Sequence, residues 1–589
     1  MCAINGCTGR NEALVRSLAQ STAHRGPDGT RIWTDGRVTF GFDRLAVIDL
    51  SDRAMQPTVS KDGTVAVMLN GEIFNFKELR NELGGYAFES EGDAEVLLAA
   101  YLAWGQRAFD RLNGMFAISV YDGRSDELIL VRDPAGVKPL YYAVYAEQLV
   151  FSSEAPALLE VIPRHLNRRA LSDYMRLLYV PGRETFIEGV QRVLPGEIVT
   201  FSNKSIRTGK IASEVQKPFT GSFRDACSEV SKLAREAVAR QLISDRPIGL
   251  FLSGGIDSTL LTALASEVHP AINTFSVRFA LDDYSENDKF NADADRALRS
   301  AVRFGTTHHE YTLSAFDAAS LFRQAVPRLH EPVGNATALA QFFLSEAAQK
   351  TATVVLTGDG GDELFGGYER YSLALRAEQY ARLIPRWVAQ MLPHPFPVLH
   401  TTGSARYAQL MLQPDHGLAP STDVERHFRQ FFTEDTGVRA LMRADESLWL
   451  VDEALLRTDA MTSAVSLEAR VPFLDLELRA FAHALPTQYL VSGRQTKRVL
   501  REAFRSILPP EVLSGPKRGW FSPGSKWLRT QSFGDLISDI CNDPVAQRTL
   551  SIPALQRLID EHISRKAYHF PVIWASLVAL EWVRQYKLA

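Results

Sequence analysis

Cysteine is scarce in this chain: four occur in 589 residues, Cys2, Cys7, Cys227 and Cys541. None pairs as C-x-x-C and none has zinc-site spacing to histidine, so neither a disulfide scaffold nor a structural zinc is expected. Long apolar runs are also missing. No stretch approaches the ~20 uninterrupted apolar residues of a membrane span, and the most apolar late segment, Phe570 to Val583, is broken by Ser576 and Glu581. A buried helix is expected there, and no membrane partner. Nor is there a surplus of positive charge: Lys plus Arg number 65 against 69 Asp plus Glu, so no nucleic-acid partner is expected. The first seven residues, Met1 to Cys7, lack a basic region followed by an apolar core. The expectation is therefore no secretory signal and a cytoplasmic location.

What is present is a globular composition, 46% hydrophobic and 23% charged, in a chain long enough for several units at roughly 100 to 200 residues per domain. Up to about residue 200, β-rich runs (Thr39 to Ile48, Val65 to Leu69, Phe116 to Tyr121, Leu128 to Val131, Leu149 to Ser152) mix with helical patterns at Glu12 to Ala23, Phe76 to Leu83 and Ala94 to Trp104. That mixture predicts an α+β layered domain. The polar, aperiodic stretch Ser202 to Phe223 reads as a connection, which divides the chain into units 1–205 and 223–589 with a linker at 206–222. In the second unit, runs at Ile248 to Leu252, Ile272 to Val277 and Thr353 to Leu356 alternate with helical segments, the pattern of an α/β parallel sheet. Helical patterns dominate after about residue 366, with breaks at Pro393 to Pro397 and Pro509-Pro510.

Ligands of such sheets sit beyond the carboxyl ends of the strands, where Ser253, Arg278 and Thr357 fall. Ser253-Gly254-Gly255-Ile256-Asp257-Ser258 occupies a strand-to-helix turn. Adjacent glycines let backbone N–H groups approach an oxyanion, the helix start adds positive partial charge, and Ser253 and Ser258 add hydroxyl donors. Asp257 would repel phosphate unless a cation bridged them, which implies Mg²⁺ at an ATP pyrophosphate site. By itself the stretch also suits an ordinary Gly-Gly turn. A second loop, Thr357-Gly358-Asp359-Gly360-Gly361-Asp362-Glu363, ends another strand and places Asp362 to share that Mg²⁺ with Asp257. Gly519 to Lys526 imitates a Walker A loop but puts Ser525 between glycine and lysine and Pro523 where an N–H is needed, so it is set aside.

Cys2 becomes the first residue if Met1 is removed, and its own α-amine, with a pKa of ~8, can then serve as base for the thiol. A small, part-buried cysteine of a first strand is the plainer alternative. Arg44 can pair a substrate carboxylate, Asn70-Gly71 can form an oxyanion hole, and Asp93 can accept from a substrate ammonium or simply cap a helix. Together the three functions describe glutamine recognition.

At this point the chain resembles, over essentially its whole length, the glutamine-hydrolysing asparagine synthetase family. The resemblance rests on Cys2, Arg25-Gly26-Pro27-Asp28, Arg44-Leu45, Asn70-Gly71-Glu72, Asp93 and Arg132 to Tyr141 for a class II glutaminase domain of the N-terminal nucleophile type. For the synthetase domain it rests on Ser253 to Ser258, His308-His309-Glu310, Gly358 to Tyr368, Ser466 to Asp475 and Lys497. It implies glutamine hydrolysis at Cys2, an oxyanion hole at Asn70 and Gly71, and glutamine binding by Arg44, Leu45, Val47, Asn70, Gly71, Glu72 and Asp93. It further implies ATP binding by Phe251, Leu252, Ser253, Gly254, Gly255, Asp257, Ser258, Val277, Thr357 and Gly358, Mg²⁺ at Asp257 and Asp362, and catalytic roles for Asp359 and Lys497. Ammonia would pass between the sites to a carboxylate activated as an acyl-adenylate. Partners are then the small molecules glutamine, ATP and a carboxylate acceptor, and a homodimer is compatible with the resemblance.

Aspartate leads as acceptor, making asparagine. Asp43 stands where many members have a basic or small residue, Asp359 is shorter than the glutamate found in some members, and the polar segment Asp282 to Asp293 is longer and more polar than a plain asparagine synthetase suggests. These departures leave open a sugar acid of a surface polysaccharide or a natural-product intermediate. A non-catalytic adenylate-binding module is disfavoured by Cys2, Asp257, Asp362 and Lys497.

Overall fold

The computed structural model describes residues 1–212, 217–281, 287–380, 388, 391, 398, 401–515 and 522–589. Linker residues 213–216, residues 282–286 of the polar segment, the Pro393 to Pro397 break and residues 519–521 of the Walker A imitation lie outside the described set.

Alternation builds the first half. In strand Val65–Ile73, Val65, Val67 and Leu69 turn to one face, against Val96 and Leu97 of helix Asp93–Trp104. Ala66 and Met68 turn to the other, against Ile4, Phe40, Phe42 and Phe151 of a second sheet. That second sheet has the order Gln191–Arg192, Tyr141–Tyr145, Gln148–Ser152, Ala3–Thr8, Val38–Arg44, Gly29–Thr34. Helix Glu12–Thr22 covers its outer face through Val15 and Leu18. The sheet containing Val65–Ile73 runs Ser205–Lys210, Glu197–Ser202, Glu127–Arg132, Gly114–Asp122, Val65–Ile73, Thr58–Val59. The result is a helix–sheet–sheet–helix stack, the α+β layering expected.

Two details correct the sequence reading. The run Thr39 to Ile48 leaves the sheet at Arg44, because Ala46 N–H donates to Asp28 Oδ2 (2.8 Å) and Val47 O accepts from Asp245 N–H (2.9 Å). Ser205–Lys210, read as the start of the linker, is an edge strand paired with Glu197–Ser202. All its side chains are exposed, so no apolar alternation marked it.

The second half is built on a parallel sheet ordered Thr307–Leu313, Asn273–Phe279, Ile248–Phe251, Val354–Leu356, Glu468–Arg470. Ser253 and Thr357 follow two of its strands as expected. Arg278 does not: it lies within Asn273–Phe279, paired with Glu310 (2.8 Å) and Asp295 (2.6 Å). Helices follow the sheet, ending in Phe570–Tyr586, whose residues Val572 to Val583 are all buried. Among the described residues no helix is long and apolar enough to cross a membrane.

Buried ion pairs lock the halves together. Arg192, from the first half, pairs with Glu331 (2.6 Å) and Asp452 (2.9 Å) of the second, and all three side chains are at most 5% exposed. Arg192→Ala would strand two buried carboxylates, at a cost of about 3–5 kcal/mol. The expected outcome is a clearly lowered unfolding midpoint in urea. Breaking the exposed pair Lys204 and Glu147 in the same assay should move it little.

Candidate functional site

The loop that leaves the sheet at Arg44 closes over the N-terminus. Cys2, Arg44, Leu45, Val47, Gly71, Glu72 and Asp93 line one cavity of about 30 Å³, room for about one water molecule. Asn70 is fully buried beside Gly71, with its Nδ2 3.5 Å from Ser153 Oγ and its Oδ1 without a hydrogen-bond partner among the described residues. Gly71 is obligatory: its φ is +137°, and a Cβ there would collide with the carbonyl oxygen of Met115 on the neighbouring strand. Arg44 Nη1 and Nη2 donate to Ser51 O (2.8 Å) and Asp49 O (2.5 Å), and among the described residues neither nitrogen makes a further hydrogen bond.

Asp93 does not cap its helix. Gly92 holds the cap position, and Asp93 Oδ2 accepts from Ile73 N–H (2.9 Å). Burial pushes the Asp93 carboxyl up to about 6 against that hydrogen bond, with Glu468 adding to the rise. Glu72 is raised well above the usual carboxylate range by burial and by Glu468 and Asp93, although Arg470 lies 3.4 Å away. Met1 is fully buried and still carries the α-amine, which burial presses down to about 6. Burial pushes the Cys2 thiol up to about 12, only partly opposed by that amine. With Met1 attached, Cys2 is thus a neutral thiol with an amide nitrogen. Asp43, an unexpected acid in sequence, faces inward to accept from Thr22 Oγ1 (2.8 Å) and Thr30 Oγ1 (2.7 Å).

A second, larger cavity of about 590 Å³ opens at the ends of the parallel strands. Phe251, Leu252, Ser253, Gly254, Gly255, Asp257, Ser258 and Val277 line it, as do Thr357, Gly358, Asp359, Asp362 and Lys497. Gly254 has φ +73°, and a Cβ there would strike the Asp293 carbonyl, so the tight turn requires glycine. Helix Ile256–Val268 follows Gly255 with no side-chain cap among the described residues, which leaves its first N–H groups for an anion. Ser258 Oγ accepts from Ser253 N–H at 3.1 Å and braces the turn.

Asp257 and Asp362, from separate loops, converge on Lys497 Nζ, which pairs with Asp257 and lies 2.5 Å from Asp362. Burial alone would depress the lysine, but the two carboxylates overcome it and raise its pKa. Two convergent carboxylates beside a phosphate-type turn suit Mg²⁺, which takes one or two carboxylates and completes its shell with water and phosphate oxygens. Asp359 Oδ2 accepts from Thr357 Oγ1 (2.8 Å) and Thr458 Oγ1 (3.0 Å), and burial raises its pKa against the nearby Arg457.

Sequence reasoning missed Arg370, Trp449 and Arg457, which line the same cavity. Arg370 stands two residues beyond the glycine loop that ends at Tyr368, a proximity that could have flagged it. Trp449 and Arg457 carry no local signal and reach the cavity only through folding. His308 is a structural residue, with its ring nitrogens against Thr274 (2.9 Å) and Ser276 (3.0 Å).

Comparison with known proteins covers both halves of the chain. A family model described as glutamine amidotransferase domain matches residues 1–211, and one described as asparagine synthase matches residues 229–584. Asparagine synthetase [glutamine-hydrolyzing] 1 of Bacillus subtilis (strain 168) is 31% identical over 98% of this chain and 94% of its own. A putative asparagine synthetase [glutamine-hydrolyzing] of Mycobacterium tuberculosis (strain ATCC 25618 / H37Rv) is 33% identical, with 95% and 91% covered. Asparagine synthetase B [glutamine-hydrolyzing] of Escherichia coli (strain K12) is 26% identical, with 95% and 85% covered. Matches of this extent across both halves leave one assignment: the chain belongs to the glutamine-hydrolysing asparagine synthetase family and is a glutamine-dependent, ATP-using amidotransferase.

Proposed function

We propose that the enzyme releases ammonia from glutamine at Cys2 and uses it to convert aspartate to asparagine through an acyl-adenylate. The observation that carries this reading is the convergence of Asp257, Asp362 and Lys497 beside the uncapped helix start, with Asp359 in the same cavity. Aspartate as acceptor is supported by the likeness to the asparagine synthetases of Bacillus subtilis, Mycobacterium tuberculosis and Escherichia coli. The reading divides the chain into a glutaminase unit that begins at residue 1 and ends with the edge strand Ser205–Lys210 rather than at residue 205, a connection up to residue 222 and a synthetase unit 223–589. It is supported by the matched spans 1–211 and 229–584.

In this mechanism Met1 is removed and the Cys2 amine takes the thiol proton as sulfur attacks the glutamine amide carbon. The oxyanion accepts from Asn70 Nδ2 and Gly71 N–H, ammonia leaves, and water hydrolyses the thioester to glutamate. Arg44 and Asp93 hold the carboxylate and ammonium of glutamine, with Leu45, Val47 and Glu72 shaping the cavity. In the larger cavity Phe251, Leu252 and Val277 pack on adenosine, and the Ser253 to Ser258 turn with Thr357-Gly358 holds the phosphates. The acceptor carboxylate attacks the α-phosphorus, the α–β anhydride bond breaks, and pyrophosphate leaves. Ammonia then attacks the acyl carbon and AMP departs with the bonding electron pair. Asp257 and Asp362 would hold Mg²⁺, which would supply charge neutralisation for pyrophosphate when bound. Lys497 stabilises the growing phosphate charge, and Asp359 is placed beside the adenylate.

Three outcomes follow. Cys2→Ala should abolish glutamine-dependent amidation and leave amidation from free ammonia near the wild-type rate; loss of both in a folded variant would contradict separate sites. Pyrophosphate release with ATP and ammonia should depend on aspartate, and dependence on a different carboxylate instead would replace the acceptor while keeping the chemistry. Asp93 is protonated below its raised pKa, so its charge is lost as pH falls through about 6. The kcat/KM for glutamine should therefore drop about tenfold per pH unit below that point, and Asp93→Asn should lower kcat/KM and remove that limb of the profile.

A further inference from the structure

Part of the larger cavity's wall comes from an unusual element. Asp445–Leu455 is a π-helix and contributes Trp449 to the lining. Such segments are rare and are frequent at functional sites. At its start, fully buried Asp445 accepts from Arg370 Nε (2.8 Å), Tyr371 OH (2.6 Å) and Tyr407 OH (2.9 Å). The Arg370 guanidinium also lies 3.7 Å from the centroid of the Tyr368 ring, and Tyr368 OH accepts from Trp449 Nε1 at 3.1 Å. Its plane is therefore set before any ligand arrives.

One edge of that group is incomplete. Arg370 Nη2 is shielded from water yet has no hydrogen-bond partner among the described residues, while Arg370 itself lines the cavity. Leaving such a donor unsatisfied costs on the order of 1–3 kcal/mol, a cost that a bound anion removes. The other cavity arginines are occupied: Arg457 by Glu453 (2.8 Å) and Gln341 Oε1 (2.5 Å), Arg296 by Asp293, and Arg501 by the Thr496 carbonyl (2.9 Å). The phosphates have their own partners in the helix start and Lys497. A planar guanidinium whose Nη2 has no partner among the described residues fits a carboxylate, and a lysine could not reproduce that fork.

We propose that Arg370 binds the non-reacting carboxylate of the acceptor and so selects a dicarboxylate over a monocarboxylate. This inference rests on the reading of aspartate as acceptor. The reacting carboxylate is then free to face ATP near Asp359, while Asp445 acts as a positioning residue for the guanidinium.

The test measures pyrophosphate release by the full-length enzyme with ATP, free ammonia and varied aspartate. Arg370→Gln should raise the KM for aspartate by about 10- to 100-fold, the worth of one charge-assisted hydrogen bond. It should leave kcat within about threefold and the KM for ATP within about twofold, as expected when only ground-state acceptor binding is lost. Arg370→Lys should recover part of the loss. An unmoved KM for aspartate, a parallel rise in the KM for ATP, or a loss confined to kcat would each overturn the role of Arg370. A wild-type enzyme that releases no pyrophosphate with aspartate would instead remove the acceptor reading, and the inference with it.

Discussion

Two buried arginines hold the cavities in one frame. Arg25 Nη2 pairs with Asp459 (2.9 Å), its Nη1 with Glu154 (3.1 Å), and its Nε donates to the Cys2 carbonyl (3.1 Å). Arg470 pairs with Glu468 (2.8 Å) and approaches Glu72 (3.4 Å) at the smaller cavity. Buried ion pairs add little net stability, because desolvation offsets their attraction, but breaking one leaves an uncompensated charge. They therefore act as positional locks. Helix Leu456–Ser463 shows the consequence: Thr458 hydrogen-bonds Asp359 in the larger cavity, and the next residue, Asp459, holds Arg25 and through it the Cys2 backbone. One helical segment thus sets the positions of groups in both cavities.

The same logic explains why the larger cavity is electrostatically prepared. Asp257 and Asp362 would repel each other at their separation, and Lys497 resolves that repulsion from a left-handed backbone position (φ +51°) just before helix Arg498–Ala503. In the proposed reading this keeps two carboxylates pointed at one place until phosphate and cation arrive. Preorganisation of this kind lowers the reorganisation needed during reaction. The smaller cavity is prepared differently, by burial: Cys2, Glu72 and Asp93 all have their charged forms disfavoured by it.

Much was legible in sequence because it is local. The strand-to-helix turn at Ser253 to Ser258, the loop from Thr357 to Tyr368 and the glycine at 71 follow from backbone rules that act over a few residues. Failures occurred where local rules have no purchase. Leu45 to Ile48 carries strand-forming residues, yet Asp28 and Asp245 draw its backbone out of the sheet. Ser205–Lys210 has a linker's composition because an edge strand with every side chain in water needs no apolar face.

The sequence alone determined which chemical groups exist and which turns present them: a thiol at position 2, two glycine loops bearing carboxylates, a lysine at 497 and the family to which they point. Only the tertiary structure decided their company. Lys497 reaches back 240 positions to Asp257, and Arg25 reaches forward 434 to Asp459. Arg370 Nη2 is buried without a hydrogen-bond partner among the described residues, while Nε of the same guanidinium donates to Asp445, 75 positions further on. Local propensity acts through backbone torsions and neighbouring side chains, whereas charge pairing and desolvation depend on distances that exist only once the core has closed.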